Sequence, residues 1–593
     1  MLNIANTGLM NHLAVIQKKW ARRGEWTGRF LDLMDTTPRF GWAVGLALMA
    51  ISLIPKFSHD LNADSTVYLY LAGRMLDGAH YYDDFFEFNT PFAIGLYAIP
   101  VAIARLCHIF VPIAGKIFIS CLTLGSIVLT HCIIRRSREW APVTRYNAII
   151  ITLFFALNFP SSFYYNELTT KTPIFLCFIL PYFFSVQLKA ERIALARWLQ
   201  IVTGLLLGLT LCLKPHYVLF AIIMEGYLAV KSRDYFLWLR WPNLLAGLVA
   251  TVYYIFILPV FFPGYLRIIP FFFEYYDAAY YGWQDRVVEI FTYLFYGLPF
   301  LLWYLPLRKF LDRVASYGIF FAGIGASILI LTTETLLSHD QRSILNFFIC
   351  LPYLYSFLIF LRQLDTFGAA MSTRQRCVAT LTIMLGALTI FGLVNVISAF
   401  DPRPRDREQV TAQMLDYIHR YAADDPLFTL SDNTEHFAPE MLYLSKRPYP
   451  VFHLQRMFFN LENRHYDYRG EALPESTQKA EAYIAQSLMR FFTRTPPKLV
   501  FVRSYSWYSE HQIKGYCLPG LLEILLRRYP EFKSLWNAHY QRIGTILSTP
   551  EQKILEDRPL RKVELKFGDK PYQATFPPRV PIATWLDVYV RKD

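Results

Sequence analysis

Carboxylates and phenols crowd the segment His59–Pro91, which reads HDLNADSTVYLYLAGRMLDGAHYYDDFFEFNTP. Asp60, Asp64, Asp83, Asp84 and Glu87 are interleaved with Tyr68, Tyr70, Tyr81 and Tyr82 and closed by Asn89-Thr90-Pro91. A loop that only returned a helix to a membrane would not need an acidic cluster followed by an amphipathic stretch. This composition suits chemistry held at a membrane surface. Further polar groups interrupt apolar surroundings later in the chain. Tyr164-Tyr165-Asn166-Glu167 precedes Lys171-Thr172-Pro173, Lys214-Pro215-His216 breaks an apolar stretch, and Glu334 stands before His339-Asp340-Gln341-Arg342. Polar side chains at membrane depth are costly and face a cavity or a partner.

The elements that must position these residues are hydrophobic. Of 593 residues, 54% are hydrophobic and only 18% charged, far from a soluble average. Apolar runs of near-spanning length recur from residue 40 to 398 and then stop. The expected architecture is an α-helical polytopic membrane protein over 40–400, preceded by a basic segment 1–39 and followed by an α/β domain over 401–593. The net charge of +13 does not imply nucleic-acid binding, because the basic residues form short clusters between apolar runs rather than one patch. The 8 cysteines give no metal spacing, and Cys517 is alone in the C-terminal part, which excludes an intramolecular disulfide there. No cleavable signal is expected: Lys18, Lys19, Arg22, Arg23 and Arg29 precede a first apolar run that lacks a small-residue cleavage site.

Apolar segments lie near 40–55, 91–107, 114–134, 145–158, 173–187, 197–213, 217–230, 242–261, 287–306, 317–332, 343–361 and 377–398. If all cross, Arg135-Arg136-Ser137-Arg138, Lys189–Arg192 and Lys231–Arg233 land outside, against the positive-inside rule. If 91–107 lies in the interface or re-enters, those clusters join Arg308, Lys309, Arg313, Arg374 and Arg376 on the side of the basic N-terminus. The expectation is about eleven spans, with the N-terminus cytoplasmic and the C-terminal domain outside. The acidic loop, Glu167, Lys214, the 263–286 segment and Arg342 then share the outer face.

Each residue also has a plainer reading. Lys214 fits a snorkelling residue at a helical hairpin, and Glu167 fits a helix cap. Asp60, Asp77 and Asp83 read as solvated or capping groups. His339 has no second His at ligand spacing.

The run from Asp64 to Tyr82-Asp83-Asp84-Phe85-Phe86-Glu87-Phe88-Asn89-Thr90-Pro91 resembles the first outer loop of GT-C glycosyltransferases. Within them it is most similar to protein O-mannosyltransferases and lipid A aminoarabinose transferases. That resemblance implies juxtamembrane helices in the first outer loop, consistent with a non-crossing 91–107, and Glu167 occupies the place of the acidic residue in the second outer loop. Asn89-Thr90 stands where lysine or proline is usual before Pro91, and Glu167 stands where Asp is commoner. The resemblance implies a sugar donor on a polyprenyl phosphate, used at the outer face of a bacterial inner membrane or its equivalent.

On that reading Asp64 takes the acceptor proton, and one displacement at the anomeric carbon inverts the linkage. Lys214, Arg267 and Arg342, with His216, meet the lipid phosphate. Glu87 and Glu167 position the acceptor or hold a divalent cation, for which Asp64 and Glu167 are the metal candidates; otherwise no cofactor is expected. The acceptor is an envelope lipid, glycan or protein. If it is already a phosphate, Asp64 orients it or binds metal instead. The aromatic segment 261–286 reads as an interfacial belt or as a lid over the donor.

Beyond Asp401, Pro402 and Pro404 mark a linker over Asp401–Arg407. A helix over Arg407–Ala422, a strand over Leu427–Leu430 and a helix near Pro439–Leu444 are expected, then a strand over Lys498–Val502, a helix over Leu521–Tyr529 and a strand over Arg542–Leu547. This part lacks a nucleophile elbow or phosphate-binding glycine loop and suits acceptor docking or capping of the cavity. A transporter or flippase is the rival class, but no inverted repeat relates the halves. A polysaccharide polymerase or ligase is the other rival, and it predicts the key loop late in the chain.

Overall fold

The protein is described from a computed structural model, which covers residues 43, 46, 63–85, 87, 89–137, 171–270, 318, 320–326, 328–329, 403–422, 425–430, 475–503, 505–507, 517–519, 521–546, 561–567, 570–576 and 586–592. The expected spans near 145–158, 287–306, 343–361 and 377–398, and the helix near Pro439–Leu444, lie outside these residues.

Helix α1 covers Ala63–Leu76, α2 Pro91–Cys107 and α3 Val111–Ile134. Contacts pair Tyr68 with Tyr97, and Gly73 with both Val101 and Arg105, so α1 and α2 run in the same direction. The chain between them must double back, and this return carries the acidic turn. Helix α2 is apolar but 17 residues long, roughly 26 Å at 1.5 Å per residue, short of a hydrocarbon core about 30 Å thick. Helix α3, at 24 residues, is long enough. His108, in the left-handed region at φ 54°, ends α2 and turns the chain into α3.

Helix α4 covers Lys171–Ala190, α5 Arg197–Leu213, α6 Val218–Ser232 and α7 Trp241–Phe261. Among the described residues, α3 and α7 are long and apolar enough to cross a membrane, whereas Pro91–Cys107, Ile174–Ala190 and Arg197–Leu213 are apolar but shorter. Helices α5 and α7 pack most intimately. A Cβ on Gly204 would come within 2.8 Å of the Pro242 carbonyl oxygen, and one on Gly208 within 2.6 Å of Val249 Cβ. This Gly-x-x-x-Gly face lets two backbones approach where a side chain would hold them apart. The close approach sets the register of α7, whose π-helical turn Val252–Ile257 carries Tyr253 and Tyr254.

The C-terminal part begins with α8 over Arg403–Tyr421. The expected linker is therefore shorter than Asp401–Arg407: Pro404 already lies in the first turn of α8, where its missing N–H costs nothing. Strand β1 covers Leu427–Leu430, α9 Glu475–Arg494 and β2 Leu499–Arg503. β3 (Tyr505–Trp507) pairs with β4 (Cys517–Pro519). α10 covers Leu521–Arg528, α11 Pro530–His539 and β5 Tyr540–Ile546. β6 (Arg561–Phe567) forms a hairpin with β7 (Lys570–Phe576), and β8 covers Leu586–Arg591. A four-stranded sheet runs in the order β1-β2-β8-β5, with β1 and β2 parallel and the remaining pairs antiparallel.

Alternation along β2 explains the layering. Leu499 and Phe501 pack with Val410, Met414 and Ile418 of α8. Val500 and Val502 face the other side with residues of α9, α10 and α11. Strand β2 is buried along its whole length, as a central strand covered on both faces must be. Helix α9 connects the parallel strands, and Phe428 of β1 holds it through Phe491 and Phe492, 5.3 Å from each.

Candidate active site

The acidic turn begins at Tyr81 and ends at Thr90. Tyr82 N donates to Phe85 O at 2.7 Å, which closes the first half. In the second half Glu87, 2% exposed, accepts the Asn89 backbone N–H at 2.9 Å. The Asn89 side-chain amide donates to Tyr68 Oη at 2.9 Å and also reaches Glu87. Tyr81 Oη donates to Asn89 O at 3.3 Å. Burial first, and then the nearby Glu87 carboxylate, hold the Tyr81 phenol well above its usual range, so it remains a donor. Asp64 is the second residue of α1, one helical turn before Tyr68.

Thr90 couples this turn to the Lys-Pro-His break. Its Oγ1 caps α2 by accepting from Ala93 N at 3.4 Å. The same hydroxyl donates to Cys212 O at 2.9 Å and Leu213 O at 3.0 Å. These are the last carbonyls of α5, which no intrahelical N–H can satisfy. Lys214 follows directly, extended at φ −152°, ψ 125°, as a residue before proline prefers. Pro215–Tyr217 then forms one tight turn into α6. The buried start of α2 and the buried end of α5 thus meet, and Lys214 is delivered to that junction. His216 lies half-buried there, edge-on to Tyr217 with ring centroids 4.9 Å apart.

Helix α7 braces the same place. Tyr253 Oη accepts from Phe92 N at 3.0 Å, and Tyr254 Oη donates to Leu211 O at 2.9 Å. Past α7, residues 263–270 form a short helix against the acidic turn. Tyr81 packs edge-on to Tyr265 at 5.6 Å. Arg267, exposed, lies with its guanidinium carbon 5.7 Å from the Tyr82 ring centroid. Sequence-nominated residues from three separate segments, Glu87, Lys214 and Arg267, are therefore linked through this turn and its neighbours. Glu167, Arg342 and the aromatic segment beyond residue 270 lie outside the described residues, as does the side chain of Asp64.

Asp77 is exposed and makes a two-pronged ion pair with Arg105 at 2.8 and 2.9 Å, joining the ends of α1 and α2. Among the described residues no group of three or more His, Cys, Asp or Glu side chains is placed to hold a metal ion.

Sequence reading passed over two buried features. Lys116 is 4% exposed within the apolar helix α3, where a single lysine inside a spanning run was the available signal. Glu225 of α6, 3% exposed, accepts from Tyr182 Oη of α4 at 2.5 Å and from Arg240 Nε at 3.1 Å, and Arg240 Nη2 completes the ion pair. Glu225 lies within an apolar stretch, and its partner lies in the next connection.

No protein-family model and no curated protein matches the sequence. Solved structures do. The Archaeoglobus fulgidus oligosaccharyltransferase, tethered with an acceptor peptide containing the NVT sequon, aligns at 11% identity over 93% of this chain and 88% of its own, with TM-score 0.46. ArnT from Cupriavidus metallidurans bound to undecaprenyl phosphate aligns at 12% identity over 82% of this chain and 98% of its own, with TM-score 0.44. The same oligosaccharyltransferase in complex with Zn and sulfate aligns at 10% identity over 87% and 80%, with TM-score 0.43.

Proposed function

We propose that the chain is a membrane glycosyltransferase that moves a sugar from a polyprenyl-phosphate donor to an extracytoplasmic lipid, glycan or protein, with inversion. The observation that supports this reading is the junction at Thr90, which fixes a buried carboxylate turn beside the lysine that ends α5. Transfer to a hydroxyl breaks the bond between the anomeric carbon and the lipid phosphate and forms one to the acceptor oxygen. Asp64 takes the acceptor proton. Lys214, with His216, Arg267 and Arg342, balances the charge on the departing phosphate. Glu87 and Glu167 position the acceptor. On this reading α2 lies at the outer interface, the N-terminus is cytoplasmic and residues 401–593 are periplasmic in a bacterial inner membrane.

Purified full-length protein incubated with a labelled polyprenyl-phosphate sugar and an envelope extract should move label into one acceptor fraction. Lys214→Ala should weaken donor use. Mass analysis of envelope lipids and glycoproteins from a deletion strain should show one sugar-bearing species missing. Unchanged lipids and glycoproteins in that strain, with no label transferred in vitro, would refute the proposal.

A further inference from the structure

Tyr82 stands where three distant segments meet. Its backbone is left-handed at φ 72°, a conformation a bulky residue adopts only when its surroundings impose it. Those surroundings are identifiable. Tyr483 of α9 donates its hydroxyl to Tyr82 O at 2.8 Å. The two rings stack with centroids 4.9 Å apart and planes 23° from parallel. Arg267 lies over the Tyr82 ring from the 263–270 helix. One residue earlier, the Tyr81 carbonyl oxygen presses on Gly264, where a Cβ would come within 2.1 Å.

Both ends of this contact are anchored. Tyr483 belongs to the helix that crosses between β1 and β2, and Phe491 and Phe492 hold that helix to the sheet. Burial raises the Tyr483 phenol to about 12, so at neutral pH it is a donor. On the other side, the turn that contains Tyr82 leads within a few residues to Glu87 and Asn89, and Tyr81 Oη is bonded to Asn89 O. A displacement at Tyr82 is therefore passed to the carboxylate by a short, hydrogen-bonded path.

We propose that Tyr82 is a positioning residue: the C-terminal α/β part, acting through Tyr483, holds the Tyr81–Phe85 turn and thereby sets Glu87 and Asn89 for transfer. The activity arm of this inference rests on the transferase reading above, and the structural arm does not. The C-terminal part on this view completes the site, beyond docking an acceptor.

The test uses the full-length protein and two substitutions, read by amide hydrogen exchange and by transfer from a labelled polyprenyl-phosphate sugar. Tyr483→Ala removes both ring stack and hydrogen bond. It should speed exchange across residues 81–89 by about tenfold or more while β2 and β8 keep their protection. Turnover should fall about tenfold, with the KM for donor within about twofold of the parent. Tyr483→Phe keeps the stack and loses one hydrogen bond, so its turnover should fall about three- to fivefold. Unchanged exchange over 81–89 in Tyr483→Ala overturns the proposal. Exchange that rises equally through β2 and β8 also overturns it, because Tyr483 would then serve the sheet's own stability. A parent protein inactive with the donor refutes the transferase reading alone, and the exchange arm still decides whether Tyr483 holds the turn.

Discussion

Thr90→Val keeps the shape of the side chain and removes one hydroxyl. That hydroxyl satisfies Cys212 O and Leu213 O at a buried junction and caps α2 through Ala93 N. Leaving a buried carbonyl without its donor costs about 1–3 kcal/mol. The cap is long at 3.4 Å, so its loss adds toward the low end of the capping range, about 0.5 kcal/mol. The added methyl recovers up to about 0.8 kcal/mol. The net is about 2 kcal/mol, and the carbonyls escape it only if the start of α2 moves off the end of α5. That movement parts the end of the acidic turn from the end of α5. At about 1.4 kcal/mol per factor of ten, transfer should fall about 10- to 30-fold if the whole loss appears in the barrier. The assay is turnover of a labelled polyprenyl-phosphate sugar by purified protein, with thermal inactivation followed in parallel. Thr90→Ser restores the hydroxyl and should recover activity to within about threefold of the parent. A valine variant with parental turnover and parental stability would refute the coupling of the two segments.

Asp64→Asn removes basicity while conserving size, so transfer to a hydroxyl acceptor should fall about two to four orders of magnitude with donor binding intact; full activity would remove the general-base role. Asp77→Asn breaks only a half-exposed ion pair and should cost at most about 1 kcal/mol, with turnover unchanged. Gly264→Ala places a methyl against the Tyr81 carbonyl, and the turn must shift on the order of 1 Å, enough for about a 100-fold loss of turnover; Gly226→Ala, with nothing within 4 Å of its Cβ, should be silent. Glu225→Gln leaves Arg240 buried against a neutral partner and should destabilise by about 3–5 kcal/mol, measured as thermal inactivation, with the donor KM unchanged. The Tyr483 phenol has a folded-state pKa above its unfolded value of about 10, so its contribution is complete below that pH and is lost as pH rises through about 12. Spectroscopic titration of Tyr483→Phe should therefore lack one of the phenolates that appear after the exposed tyrosines, which checks the assignment.

What could be read from the chain alone was whatever depends on near neighbours. Short apolar runs marked β1, β2 and β5, and the helical pattern marked α8 and α10, because burial is written into neighbouring positions. The type of the acidic turn was legible for the same reason: its carboxylates, phenols and closing Asn-Thr-Pro are consecutive. The reading of 91–107 as non-crossing was argued from the charges on either side of it, and its helix is 17 residues long. Strand β8 and helix α11 were missed, since β8 is a short run far from its partners and Pro530 reads first as a breaker, although proline is at home in a helix's first turn. The meeting of segments was decided only in three dimensions. Thr90 finds its acceptors 122 and 123 residues away, and Tyr82 its donor 401 residues away. Neither partner leaves a mark on the local pattern of the other, since a threonine before Pro91 reads as a helix cap whether or not a second helix ends beside it. Close packing through Gly204 and Gly208 sets where α7 stands, and only then do Tyr253 and Tyr254 reach Phe92 and Leu211. Types and spacings in the sequence nominated the residues; the apposition of helix ends, which hydrogen-bond geometry and backbone contact dictate, brought the start of α2 to the end of α5.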